Sequence, residues 1–263
     1  MSGFEADWLT LREPADRRAR NPILLEAAAA YALEKIGPIV DLGCGTGSTF
    51  RALDPLTANG RSWIFVDDDP RLLDRALEAL PATANERVTL QRADLAQPTE
   101  TLFAGAALVT ASALFDLVSS AYIVELAQAL RRENVGLYTA LTVDGRVEWE
   151  KPHALDEIIV EAFARDQKTD KGFGEGLGGD AAAVLDDAFR AEGFSIRSST
   201  SDWLLGADDA ELQDAFHKGF AQTARARLDA EDLEEWLAFR ASAAREGAMV
   251  RVGHRDCLAF PPG

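Results

Sequence analysis

Apolar positions along this chain fall into two spacings, and the switches between them mark out the elements. Residues 23–36 carry apolar side chains at helical intervals behind Pro22, a residue suited to a first helical turn, and Gly37-Pro38 stops the run. Leu9 and Leu11, with the basic residues after them, extend the helical reading over most of the first forty positions. Residues 38–42 then form a short apolar strand that runs into Gly43-Cys44-Gly45-Thr46-Gly47, and a helix is expected over 48–53. Further apolar runs at 62–66, 88–91, 106–111 and 135–141 alternate with helical spacing at 71–80 and 121–131. Strands that are apolar throughout and separated by helices predict a parallel sheet covered on both faces. The rhythm breaks after Thr142. A short helix is expected at 155–163, followed by a stretch holding Gly172, Gly174, Gly176, Gly178 and Gly179, the kind of loop that closes over a ligand. A helix at 181–192, a sixth strand at 194–204, a long helical stretch at 208–246 and a last strand at 249–260 complete the pattern.

Composition changes this picture mainly by exclusion. The 263 residues, 47% of them hydrophobic, support a substantial core. No apolar run approaches the roughly 18 residues of a membrane helix, and no basic segment leads into an apolar one, so a soluble, cytoplasmic protein without a leader is expected. The net charge of -17, from 44 acidic and 27 basic residues, opposes a nucleic-acid partner. The one basic cluster, Arg12, Arg17, Arg18 and Arg20, reads as a solvated helix face. Two cysteines and three scattered histidines suggest neither a disulfide framework nor a metal centre.

The candidate chemistry lies at the strand ends. In Asp41-Leu42-Gly43-Cys44-Gly45-Thr46-Gly47 the glycines permit a tight turn and let a ligand approach where a Cβ would collide. The spacing is G-x-G-x-G. A dinucleotide fingerprint would need a third glycine where Ser48 stands, and an acid at Asp41 suits a cationic ligand better than a pyrophosphate. S-adenosylmethionine carries an ammonium group that Asp41 can attract. Asp67 ends the second strand, where a carboxylate can accept hydrogen bonds from ribose hydroxyls; Asp68 is the second choice for that role. Asp94 and Leu95 follow the third strand, placed to receive an adenine amino group and to cover the ring.

Together these three segments resemble the successive cofactor motifs of class I S-adenosylmethionine-dependent methyltransferases. The likeness spans residues 38–142, and the last strand resembles the antiparallel strand that ends those proteins. It implies an α/β, Rossmann-like fold: a seven-stranded, mostly parallel sheet with an antiparallel last strand, helices on both faces, and helical N-terminal and lid insertions. It divides a single domain into an N-terminal cap (1–37), a cofactor-binding core (38–142), a lid or substrate insertion (143–180) and a C-terminal half (181–263). S-adenosylmethionine is the implied cofactor, held by Asp41, Gly43, Cys44, Gly45, Gly47, Asp67, Asp68, Asp94, Leu95 and Thr110.

The resemblance implies that the end of the fourth strand faces the transferable methyl group. Ser112 and Asp116 are therefore candidate catalytic residues, although Asp116 reads equally well as a cap for the helix starting near Ser119. His153 is a further candidate base. No Asn-Pro-Pro-Tyr-like segment is present, which disfavours methylation of nucleobase amino groups. Trp8, Arg12, Thr142, Arg146 and Lys171 are the candidate substrate-binding residues, and the cations among them suggest an anionic small-molecule acceptor. A surface ion pair is the ordinary role for each cation. Three alternatives stay open: an NAD(P)-dependent oxidoreductase, a non-catalytic cofactor-binding protein, and an enzyme of this fold that does not methylate. The acceptor atom and the oligomeric state are not legible.

Overall fold

The structure, a computed structural model, describes residues 6–57, 60–96 and 100–263. The first five residues of the expected N-terminal cap lie outside the described residues. Two helices open the chain, α1 (Ala6–Ala19) and α2 (Pro22–Glu34). Asn21 separates them: its side chain accepts from the Leu24 amide at 3.1 Å, and Pro22 occupies the first turn, where no amide hydrogen is needed.

The sheet is built from β1 (Ile39–Leu42), β2 (Trp63–Asp67), β3 (Val88–Arg92), β4 (Leu108–Ser112), β5 (Gly136–Trp149), β6 (Ser195–Thr200), β7 (Trp203–Leu205) and β8 (Val250–Phe260). The spatial order is β3-β2-β1-β4-β5-β8-β6, with β7 paired to β8. The first five strands pair parallel, whereas β8 runs antiparallel to β5, β6 and β7. The expected α/β class, parallel core and antiparallel last strand are all present. The strand count differs. One strand was expected over 194–204, but ladder pairing with β8 is interrupted at Ser201-Asp202 and leaves two, β6 and β7, so eight strands are formed.

A second difference concerns β5, expected to end at residue 141. It continues to Trp149, because its outer half finds pairing partners in β8 from Val250 to Arg255, across two register shifts. Leu141 at the first shift has a φ of 57°, uncommon for a residue with a branched side chain. The long helical stretch is likewise two helices, α8 (Ala210–Ala224) and α9 (Ala230–Arg245), broken before Asp229, whose side chain caps α9.

Helices α3 (Ser48–Leu53), α4 (Pro70–Glu78), α5 (Ser120–Glu133), α6 (Asp156–Gln167) and α7 (Ala181–Ala191) make up the rest. One apolar cluster packs α5 and α7 on one face of the sheet, and another packs α2, α3 and α4 on the other. A third joins α1, α6, α8 and α9 to β7 and the outer parts of β5 and β8. Among the described residues no helix is long and apolar enough to cross a membrane.

Candidate cofactor and acceptor site

The tips of β1, β2, β3 and β4 converge at one edge of the sheet, and α1 and the glycine-rich segment after α6 lie against them. Gly43, Gly45 and Gly47 all have positive φ, 60°, 54° and 84°, so the turn after β1 takes a path that side-chain-bearing residues rarely follow. Asp41 is fully buried beneath this turn. Its Oδ1 accepts from the Thr110 hydroxyl at 2.7 Å, and its Oδ2 is enclosed without a hydrogen-bond partner. Burial pushes its carboxyl up to about 7, against the pull of Thr110, Arg20 and Thr49.

Asp67 ties the second strand to the glycine turn. Its Oδ2 accepts from the Gly45 amide and its Oδ1 from the Asp69 amide, both at 3.0 Å. Burial raises its carboxyl and those two amides oppose the shift. Each oxygen keeps a further lone pair, so a hydroxyl-bearing ligand can still be received. Beside it a cleft of about 510 Å³ is lined by Asp68, Arg92, Ala93, Asp94 and Gly172. Asp94 is exposed there, and its Oδ1 accepts from the Ala96 amide at 2.9 Å. Leu95 turns inward and packs near Gly43. Asp69, the last of the three acids, caps α4 and pairs with Arg71.

Two residues expected near the cofactor act from below the turn. Thr110 is fully buried and reaches only Asp41 and the Val40 carbonyl. The Cys44 side chain is buried in the cluster around Phe50 and Trp63, its thiol donating to the Gly45 carbonyl at 3.7 Å and its amide to the Val66 carbonyl at 3.1 Å.

Arg20 is the residue that sequence reasoning passed over as part of a solvated basic face. It is only 5% exposed. It follows the last residue of α1, and the Asn21-Pro22 break turns it toward the strand tips. Its Nη2 donates to the Ser112 hydroxyl at 3.1 Å and the Ser48 hydroxyl at 3.4 Å, and its Nη1 is buried without a partner. Its charge is among those that lower the Asp41 carboxyl. A break such as Arg-Asn-Pro between two helices was the available signal. Asp256 of β8, an acid in an apolar strand, is the second residue missed: its carboxylate accepts from the Asn21 amide at 2.8 Å and the Leu141 amide at 2.9 Å.

After β4 the chain turns at Ala113, whose φ of 50° is unusual for alanine. Leu114 is thereby laid against Gly43, and Asp116 becomes 8% exposed, with Oδ1 enclosed and unpartnered. The α5 cap is Ser119, whose hydroxyl accepts from the Tyr122 amide, so Asp116 is not used as a cap. Burial pushes the Asp116 carboxyl up to about 6, its own amide and Arg12 opposing. The glycine segment docks here: Gly178 donates to the Asp116 carbonyl at 2.8 Å and Leu177 to the Val118 carbonyl at 3.1 Å.

The other expected residues do not converge. Arg12 forms a two-point ion pair with Asp16 and lies 4.9 Å over the Trp203 ring, against which Trp8 also packs. Arg146 pairs with Asp144 and Asp202, and Lys171 with Asp166. Thr142 is buried beside Thr139, on the face that carries α7. His153 lies just ahead of α6, with Nδ1 accepting from the Leu155 amide and its ring against Phe239. The three cations therefore do not form an anion cradle.

No protein-family model matches this chain, and no curated protein is recognisably similar to it in sequence. Solved structures do match in shape. Superposition on a candidate methyltransferase of Bacillus halodurans gives a TM-score of 0.51 at 12% identity, over 90% of this chain and 99% of that one. This chain has the Rossmann-like methyltransferase fold. Phosphoethanolamine N-methyltransferase 2 of Haemonchus contortus, solved with phosphomonomethylethanolamine and S-adenosylhomocysteine, matches with a TM-score of 0.51 at 13% identity over 100% of this chain. This chain spans 59% of the length of that methyltransferase.

Proposed function

We propose that this protein binds S-adenosylmethionine at the β1 and β2 tips and transfers its methyl group to a small-molecule acceptor. One observation carries the reading. Arg20 Nη1 and Asp41 Oδ2 are both buried beside the glycine turn, and neither atom has a hydrogen-bond partner. Buried polar atoms without partners are costly, and an α-amino acid zwitterion answers both at once, its carboxylate meeting Arg20 and its ammonium Asp41, whose ionised form it would favour. The methionyl end of the cofactor has that form. Asp67 and the cleft lined by Asp68 and Asp94 suit the ribose and adenine that follow it. A dinucleotide lacks the zwitterion, and its pyrophosphate would meet the Asp41 and Asp67 carboxylates, so the oxidoreductase alternative is disfavoured.

When bound, the cofactor supplies a methyl group on a sulfonium, activated for in-line displacement. The protein has then to align an acceptor with that methyl and keep water away. In this reading Ser112 orients Arg20, Thr110 fixes the Asp41 carboxylate, and α1 and the glycine segment bound the acceptor side. Calorimetric titration tests the proposal. Micromolar binding of S-adenosylmethionine or S-adenosylhomocysteine is expected, with no heat from NAD or NADP. Dinucleotide binding without binding of the sulfonium would overturn it.

A further inference from the structure

Asp116 has no structural duty that accounts for its burial. Helix α5 is capped by Ser119, and the lid segment engages the Asp116 backbone carbonyl rather than its carboxylate. The Oδ1 atom is nevertheless enclosed and unpartnered in a side chain that is 8% exposed. The cation that most influences it, Arg12, is already held by both oxygens of Asp16 and by the Trp203 ring. Arg146 and Lys171 are committed to other carboxylates. The acceptor side of the site thus offers a surplus carboxylate, and the cations expected to receive an anion are spent elsewhere. The unusual backbone at Ala113 turns this loop so that Leu114 meets the glycine turn, which brings Asp116 to the junction of α1, the lid and the β4 tip. Strain of this sort is kept where a side chain must be presented.

We propose that the methyl acceptor is an amine, held by Asp116 Oδ1, which also takes the proton the amine must lose. This rests on the methyl-transfer reading above. An amine that arrives as its ammonium ion pairs with the ionised carboxylate. One N–H proton passes to Oδ1, leaving a neutral amine and a carboxylic acid. The nitrogen lone pair then forms the new N–C bond as the C–S bond breaks with its electron pair going to sulfur, and the product leaves as an N-methylammonium ion. Burial favours the neutral pair over two separated charges, and a carboxyl pushed up to about 6 is ionised at neutral pH yet basic enough to share the proton.

The test uses the full chain saturated with S-adenosylhomocysteine and charge-matched probes: butylamine, benzylamine and tryptamine against butyrate, benzoate and indole-3-acetate. Calorimetry is expected to show binding by at least one amine and by none of the carboxylates. Methyl-deuterated S-adenosylmethionine should then label that amine, read by mass spectrometry. Asp116→Asn should lower kcat/KM for it by about 100-fold or more, the range of a lost general base. In the same variant, S-adenosylhomocysteine affinity and the melting temperature should stay close to wild type. Binding or labelling of the carboxylates alone, no amine bound to the S-adenosylhomocysteine complex, or full activity in Asp116→Asn would overturn the assignment while methyl transfer stands. Failure of the wild-type chain to bind S-adenosylhomocysteine at all overturns the underlying reading instead.

Discussion

At the residue scale, the Arg20 and Asp41 pair sets the expectation for cofactor binding. Hydrogen bonds to charged groups contribute about 1.5–3 kcal/mol each, which is roughly 10- to 100-fold in affinity. Arg20→Met and Asp41→Asn should each weaken S-adenosylhomocysteine binding by about that factor, measured by calorimetry. Asp67→Ala should do at least as much, because it also releases the Gly45 amide that shapes the turn. Unchanged affinity in Arg20→Met would remove Arg20 from the site. Part of this was legible in the sequence. Asp41, the glycines and Asp67 sit at fixed distances from strand ends, so pattern alone located them. Arg20 was not legible, because its neighbours Arg17 and Arg18 are exposed and only the helix break beside it sends the third arginine inward. That Arg12, Arg146 and Lys171 do not gather into one cradle was hidden for a related reason. Sequence shows cations but not the carboxylates, Asp16, Asp144, Asp202 and Asp166, that engage them.

At the element scale, the segment after α6 is held against the β4 loop by backbone contacts, and only small residues fit. A Cβ at Gly176 would lie 2.4 Å from the Gln167 carbonyl oxygen and 3.3 Å from that of Asp116. Gly176→Ala should therefore displace the segment and, with it, the wall proposed above for the acceptor side. The expected result is a raised KM for the acceptor, by about 10-fold if one or two of the docking hydrogen bonds are lost, with S-adenosylhomocysteine affinity altered less. Steady-state kinetics together with titration checks it, and a pure loss of S-adenosylhomocysteine binding would count against the assignment of this wall. The sequence identified this segment from its glycines alone. It missed that β5 runs on to Trp149, since Asp144-Gly145 interrupts the apolar run and the half-buried Val147 and Trp149 are too short an alternation to mark a strand until β8 pairs with them.

At the scale of the whole molecule, stability depends on the helical cluster beside the sheet as well as on the sheet itself. His217 lies inside that cluster, with Nε2 accepting from the Trp149 indole at 3.0 Å. Burial and the nearby Arg240 push its imidazole down to about 4. The folded state therefore resists a proton that the unfolded chain accepts near 6.5. The stabilisation is complete above 6.5 and is lost as pH falls toward and through 4. His217→Gln, which keeps an acceptor for Trp149, should lose less stability than wild type between pH 6.5 and 5. The difference is on the order of 2 kcal/mol, read from urea unfolding followed by tryptophan fluorescence. Identical pH dependence in the two proteins would mean that His217 takes up its proton as readily in the fold as in the unfolded chain. The α/β class and parallel core could be read from residues 38–142 because those strands are apolar throughout. The helical cluster could not, since it is assembled from segments as distant in the chain as Trp8, Trp149, Trp203 and Trp236.

The placement of β8 has a consequence for how the protein is made. This strand follows every other in the sequence, yet it lies between β5 and β6 and carries Asp256, which holds the amides of Asn21 and Leu141. During synthesis the five parallel strands can assemble as soon as they leave the ribosome, with β6 and β7 waiting unpaired. The turn that points Arg20 inward is secured only when the eleven residues of β8 slide into the gap. The nascent chain should therefore acquire its five-stranded parallel core before the Arg20 turn is fixed, and a ribosome stalled ahead of β8 would display a folded core in which Arg20 is not yet held at the strand tips.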